Sequence, residues 1–171
     1  MVKVLKTKLK GVLRISPGIF KDFRGEFLET YNEKFYKKNG IGVDFVQDDI
    51  SISKKGVLRG IHGDAKTWKL ISCLYGKLFF VVVNCAKNSK DFGKWQSFNL
   101  SDADKQQILI PPKYGNAYLA LTEKVIFSYK QSAYYDSKGQ FSYKWNDPRF
   151  NIKWPIKAPI LSKRDKFGRY V

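Results

Sequence analysis

Residues 69–84 read KLISCLYGKLFFVVVN, two apolar runs rich in aromatic and β-branched residues, hinged on Tyr75-Gly76-Lys77. Each run has strand length, and the glycine supplies a tight turn, so the stretch predicts paired strands at 68–75 and 77–84. The same signals predict strands at 2–9, 25–29, 45–53, 57–61, 94–100, 106–110, 117–121, 125–130 and 140–145. One helix is signalled, at about 31–39. Thr30 and Glu33 have capping-box spacing, Tyr31, Phe35 and Lys38 share a face, and Gly40 is a fitting stop. Many short strands with few helices predict an all-β fold, a sandwich or barrel with a few short helices. No repeat or linker divides the chain, so residues 1–171 read as a single domain.

Composition narrows the functional classes. Hydrophobic residues make up 43% of the chain, enough for a packed core. The longest apolar run, Leu78 to Val83, is far short of the ~20 residues of a membrane span. The basic N-terminus lacks the apolar stretch of a secretory signal. Cys73 and Cys85 are too few for a disulfide framework and read as reduced core thiols, so a cytoplasmic location is expected. The net charge of +17 attracts polyanions, either nucleic acid or a phosphorylated metabolite. The lysines are spread through every segment, and no nucleic-acid-binding motif accompanies them, so nucleic acid is not the expected partner.

His62, in the run VLRGIHG (57–63), is the chain's one histidine. It is the obvious base for chemistry near neutral pH. Its solitude excludes a metal centre built on two or three histidines. Arg59 and His62 are three apart and lie on opposite faces of a straight strand. They converge only if the strand bends at Gly60 or Gly63.

Seven ordered segments carry a resemblance: FKDFRGEFLETY (20–31), FVQDDISISKKGVLRGIHG (45–63), KLISCLYGKLFFVVVN (69–84), FGKWQSFNLSD (92–102), IPPKYGNAYLAL (110–121), VIFSYKQSAYY (125–135) and WPIKAPILSKRD (154–165). Together they resemble the dTDP-4-dehydrorhamnose 3,5-epimerase family, which implies a cupin-type jelly roll. The implied reaction is epimerisation of a nucleotide-linked 4-keto sugar, with no metal and no other cofactor. Protons at C3 and C5 are acidic because the carbanion delocalises onto O4 as an enolate. Inversion needs a base on one face, an acid on the other and a donor near O4.

The resemblance implies a role for each matching residue. His62 matches the base, Asp165 its carboxylate partner and Lys69 the lysine near O4. Tyr129 matches the acid, with Tyr134 and Tyr135 as close rivals. Tyr135 otherwise falls where a tyrosine stacks on the nucleotide base. Arg24 and Arg59 match arginines that hold the diphosphate and sugar, to which guanidinium forks are suited. Phe27, Glu29 and Gln47 match nucleotide-contacting positions, often supplied across a homodimer.

Three departures bear on the substrate. The segment HGDAKTWK (62–69) is short and lacks an aromatic-Gln pair. Asn116 stands where the family has a second histidine, and Asp49 replaces an asparagine near the nucleotide. These changes point away from the dTDP-hexose, toward a GDP-linked 4-keto heptose of capsule or lipopolysaccharide synthesis, and toward action at C3 alone. Two rival readings are a sugar-nucleotide 3,4-ketoisomerase and a non-catalytic sugar-binding cupin.

Overall fold

The computed structural model describes residues 2–169. Its strands are β1 (Lys3–Lys6), β2 (Leu13–Ser16), β3 (Ile19–Asp22), β4 (Gly25–Leu28), β5 (Gln47–Lys54), β6 (Leu58–Gly63) and β7 (Lys69–Tyr75). They continue with β8 (Lys77–Asn84), β9 (Trp95–Ser101), β10 (Gln107–Ile110), β11 (Tyr114–Ala120), β12 (Lys124–Gln131) and β13 (Phe141–Ser142). Two short helices, α1 (Glu33–Lys38) and α2 (Lys163–Lys166), complete the fold. One sheet runs β1-β2-β10-β7-β12-β5 and the other β13-β6-β11-β8-β9, while β3 and β4 pair only with each other. This is the expected cupin-type jelly roll.

The strand period of two explains the core. In β8, Leu78, Phe80 and Val82 face the opposite sheet, packing with Ile71, Cys73, Ile108 and Phe127. The alternate residues Val81 and Val83 point outward and are covered by Tyr143 and Phe150 from the C-terminal segment. Both faces of β8 are therefore buried, which is why LFFVVV is continuously apolar. On the six-stranded sheet, Ile15, Leu70 and Leu109 are covered by Tyr36 and Ile41 at α1. Cys73 and Cys85 are buried free thiols, and burial pushes them up to about 11 and about 12 respectively.

The interior changes character toward one mouth. Cys73, Ile71 and Lys69 alternate along β7, as do Phe127, Tyr129 and Gln131 along β12. Ser53, Ser51, Asp49 and Gln47 do the same on β5, which pairs with β12 in register. The apolar ends fill the core, and the polar ends open a cavity.

Two short strands, β2 and β3, lie outside the expected set: β3 (IFKD) does not alternate, and β2 (LRIS) alternates over four residues only, at the lower limit of a strand pattern. The expected helix is shorter, and Asn32 rather than Thr30 caps it, its side chain accepting from the Phe35 amide. The Thr30 carbonyl accepts instead from the Gln107 side chain at 2.9 Å. The strand expected at 140–145 is limited to Phe141–Ser142; Tyr143 still bonds to Ile61 of β6 through both its amide and carbonyl and also bridges to Arg169 of the tail.

Candidate active site

The polar mouth encloses a cavity of about 440 Å³. Its geometry is set by β6. His62 pairs with Asn116 and Arg59 with Tyr118, so three residues on β6 span the distance of two on β11. This bulge turns Arg59 and His62 to the same side, resolving the three-residue spacing. Gly60 makes it possible. Its φ is +126°, and a Cβ there would lie 2.6 Å from the Ala117 Cα.

His62 Nε2 lies 2.6 Å from Asp165 Oδ1. The contact becomes an ion pair when the ring takes up a proton. Asp165 is 3% exposed and sits on α2, held by the Gly60 amide at 3.2 Å and the Ser162 hydroxyl at 2.7 Å. Burial raises its pKa, but the contacts to His62, Ser162 and the Gly60 amide outweigh this and hold the carboxyl below its ordinary value.

Lys69 is 8% exposed, with Nζ 3.8 Å from Asp64 Oδ2. Asp64 is in turn fixed by the Lys66 and Thr67 amides and by the Gln140 side chain. Burial lowers the Lys69 pKa, only partly offset by Asp64. On the neighbouring strand of the same wall, Tyr129 packs against Phe127, ring centroids 5.6 Å apart, and Phe127 stacks on Tyr118. Burial, with Asp49 nearby, pushes the Tyr129 phenol up, so it carries its proton well above neutral pH.

The remaining wall is a hydrogen-bonded lattice. Asp49 Oδ2 accepts from Gln47 and Gln131 at 2.8 and 2.7 Å. Gln47 in turn accepts from the Tyr135 amide. Arg59 donates to Ser53, whose hydroxyl bonds with Tyr118. Asn116 donates to the His62 carbonyl at 3.0 Å.

The structure thus brings His62, Lys69, Tyr129, Asp165, Gln47, Asp49, Arg59, Asn116 and Tyr135 to one cavity. Of the rival tyrosines, Tyr134 is exposed and does not line it, and Tyr135 stands at the rim. Arg24, Phe27 and Glu29 do not reach the cavity of their own chain. They belong to the β3–β4 hairpin or its end, which pairs only with itself, and Arg24 is engaged by Asp22 at 2.6 Å. Sequence reasoning missed Arg164, which enters the cavity from α2 and donates to Ser142 at 2.8 Å. Its place in SKRD, beside Asp165, was the available signal.

Fold and site define a class: a jelly roll that gathers acid–base side chains and cations at one barrel mouth. Comparison with known proteins makes the class particular. The family model for dTDP-4-dehydrorhamnose 3,5-epimerase matches residues 6–170. The dTDP-4-dehydrorhamnose 3,5-epimerase of Shigella flexneri is 38% identical over 172 residues, covering 98% of this chain and 95% of that protein. A Bacillus anthracis enzyme of that name, solved with TDP and PPi bound, superposes with a TM-score of 0.96 at 32% identity over 100% of both chains. The Legionella pneumophila dTDP-6-deoxy-D-glucose-3,5-epimerase, in complex with dTDP-4-keto-L-rhamnose, gives 0.94 at 35% identity, covering 98% and 92%. The chain belongs to the dTDP-4-dehydrorhamnose 3,5-epimerase family and is an isomerase acting on a nucleotide sugar. These relatives are named for dTDP sugars, which corrects the expectation of the GDP-heptose branch.

Proposed function

We propose that this enzyme epimerises a dTDP-linked 4-keto-6-deoxy hexose at C3 and C5, as its relatives' names indicate. The observation that carries the reading is the His62–Asp165 contact on one side of a cavity whose other wall presents Tyr129 and Lys69. His62 takes the proton from the carbon beside the ketone, and Asp165 holds the imidazolium that forms. The Lys69 ammonium faces the charge that develops on O4. Tyr129 returns a proton from the opposite face, and the carbon is inverted. Arg59, with Arg164, supplies cations for the diphosphate. No step changes an oxidation state.

The β3–β4 hairpin, which pairs with no other strand, supports a homodimer. Phe20, Phe23 and Phe27 are 67%, 99% and 70% exposed. A second copy would cover these rings and receive Arg24, Phe27 and Glu29 at its nucleotide subsite.

The departures at Asn116 and Asp49 then tune the pocket for this substrate and do not select GDP. Asn116 is engaged with the His62 carbonyl, and Asp49 with Gln47 and Gln131. The test is to offer dTDP-4-keto-6-deoxyglucose and a GDP-linked 4-keto sugar in parallel and follow products by NMR. Epimerised dTDP product with the carbonyl still at C4 is expected. Turnover of the GDP sugar alone, or a carbonyl moved to C3, overturns the reading.

A further inference from the structure

The outer face of the five-stranded sheet holds a second cavity, of about 690 Å³. Cys85 and Tyr143, both buried, form its floor beside Phe141. Lys87, Lys113 and Arg169 stand around it, and among the described residues no carboxylate lines it. Some surface cations, among them Lys21, Lys37, Lys94 and Lys130, are paired with neighbouring carboxylates. Among the described residues, these three have no such partner.

Two of the three are held in place by main chain. The Lys113 amide donates to the Asp64 carbonyl at 2.8 Å, and its own carbonyl accepts from Cys85 at 3.0 Å. Lys113 keeps a φ of +69° at this point. Arg169 is tied to β13 on both sides, donating to the Ser142 carbonyl at 3.1 Å and accepting from the Lys144 amide at 2.8 Å. Three like charges gathered on one concave surface repel one another until an anion joins them, and the concavity focuses their field.

We propose that this cavity is a second anion site, taking a phosphorylated small molecule that carries at least two negative charges. Three cations suit phosphoryl oxygens, and the aromatic floor leaves room for the body of such a ligand. The site is separate from the epimerase cavity, which opens on the inner side of the same sheet.

The experiment is calorimetric titration of the full chain with pyrophosphate after the epimerase cavity has been saturated with dTDP. Pyrophosphate is expected to bind the saturated protein, more weakly as salt rises. The K87A/K113A variant should lose about tenfold or more in that affinity, the scale of lost charge-assisted bonds. Its retained binding of one dTDP shows that it is folded. Titration with dTDP alone identifies the source of the phosphate. Two dTDP per chain in wild type and one in the variant assigns the cavity to nucleotides. One in both, with pyrophosphate still bound beside it, assigns it to a smaller phosphate. No pyrophosphate binding to the saturated protein, or equal binding by the variant, overturns the proposal. Neither outcome touches the epimerase reading, which is scored by product.

Discussion

His62 draws its significance from what the fold places beside it. Asp165 lies 103 positions away in the chain yet is held against both the ring and the Gly60 amide. D165N keeps the shape and removes the charge, and is expected to lower kcat by roughly 10²-fold or more, measured by steady-state assay. The same variant carries a stability signature. The folded-state pKa of Asp165 lies below its unfolded value of 3.8, so its contribution is present above that pH and is lost as pH falls through the folded pKa. Thermal melts between about pH 5 and pH 2 should show a shallower acid decline for D165N than for wild type. Lys69 is the second such residue. K69M, which keeps the buried stem, is expected to cost roughly 10²–10³ in kcat with a smaller change in KM.

Among the elements, β6 decides the site and also marks how far sequence reasoning reaches. The LRGIH motif told where a bend was needed, and the positive φ at Gly60 and the register shift against β11 are how it is made. A methyl group at Gly60 has no room beside Ala117. G60A is therefore expected to destabilise the protein by about 1–3 kcal/mol in urea denaturation and to lose activity beyond that, as Arg59 and His62 part. Strands buried on both faces, above all β8, were legible end to end. The short strands β2 and β3 were not, since four residues, even alternating as LRIS does in β2, are too few to stand out as a strand. The capping of α1 went to Asn32 because the helix begins only at Glu33, with the Thr30 main chain held outside it by Gln107, 77 residues away. Arg164 and Ser162 escaped notice because their meaning lies in α2 docking onto β6, which no local window contains.

Across the protein, one mouth of the barrel gathers the residues of one chain, while the β3–β4 hairpin holds three more apart from it. The proposed homodimer predicts a sedimentation mass twice that of the 19.8 kDa chain. F23S/F27S should shift that mass toward monomer and raise KM for the nucleotide sugar. A monomeric wild type with full activity would exclude a shared site. The charge of +17 is likewise a property of the whole surface, divided between the epimerase mouth, the second cavity and scattered lysines.

Removal of the sugar's proton by His62 is read directly by solvent exchange. Wild-type enzyme and H62N are each incubated with dTDP-4-keto-6-deoxyglucose in D₂O, with deuterium followed at C3 and C5 by NMR. Deuterium is expected at both carbons with wild type and at neither with H62N. Exchange by H62N at the wild-type rate would contradict the role of His62 as base.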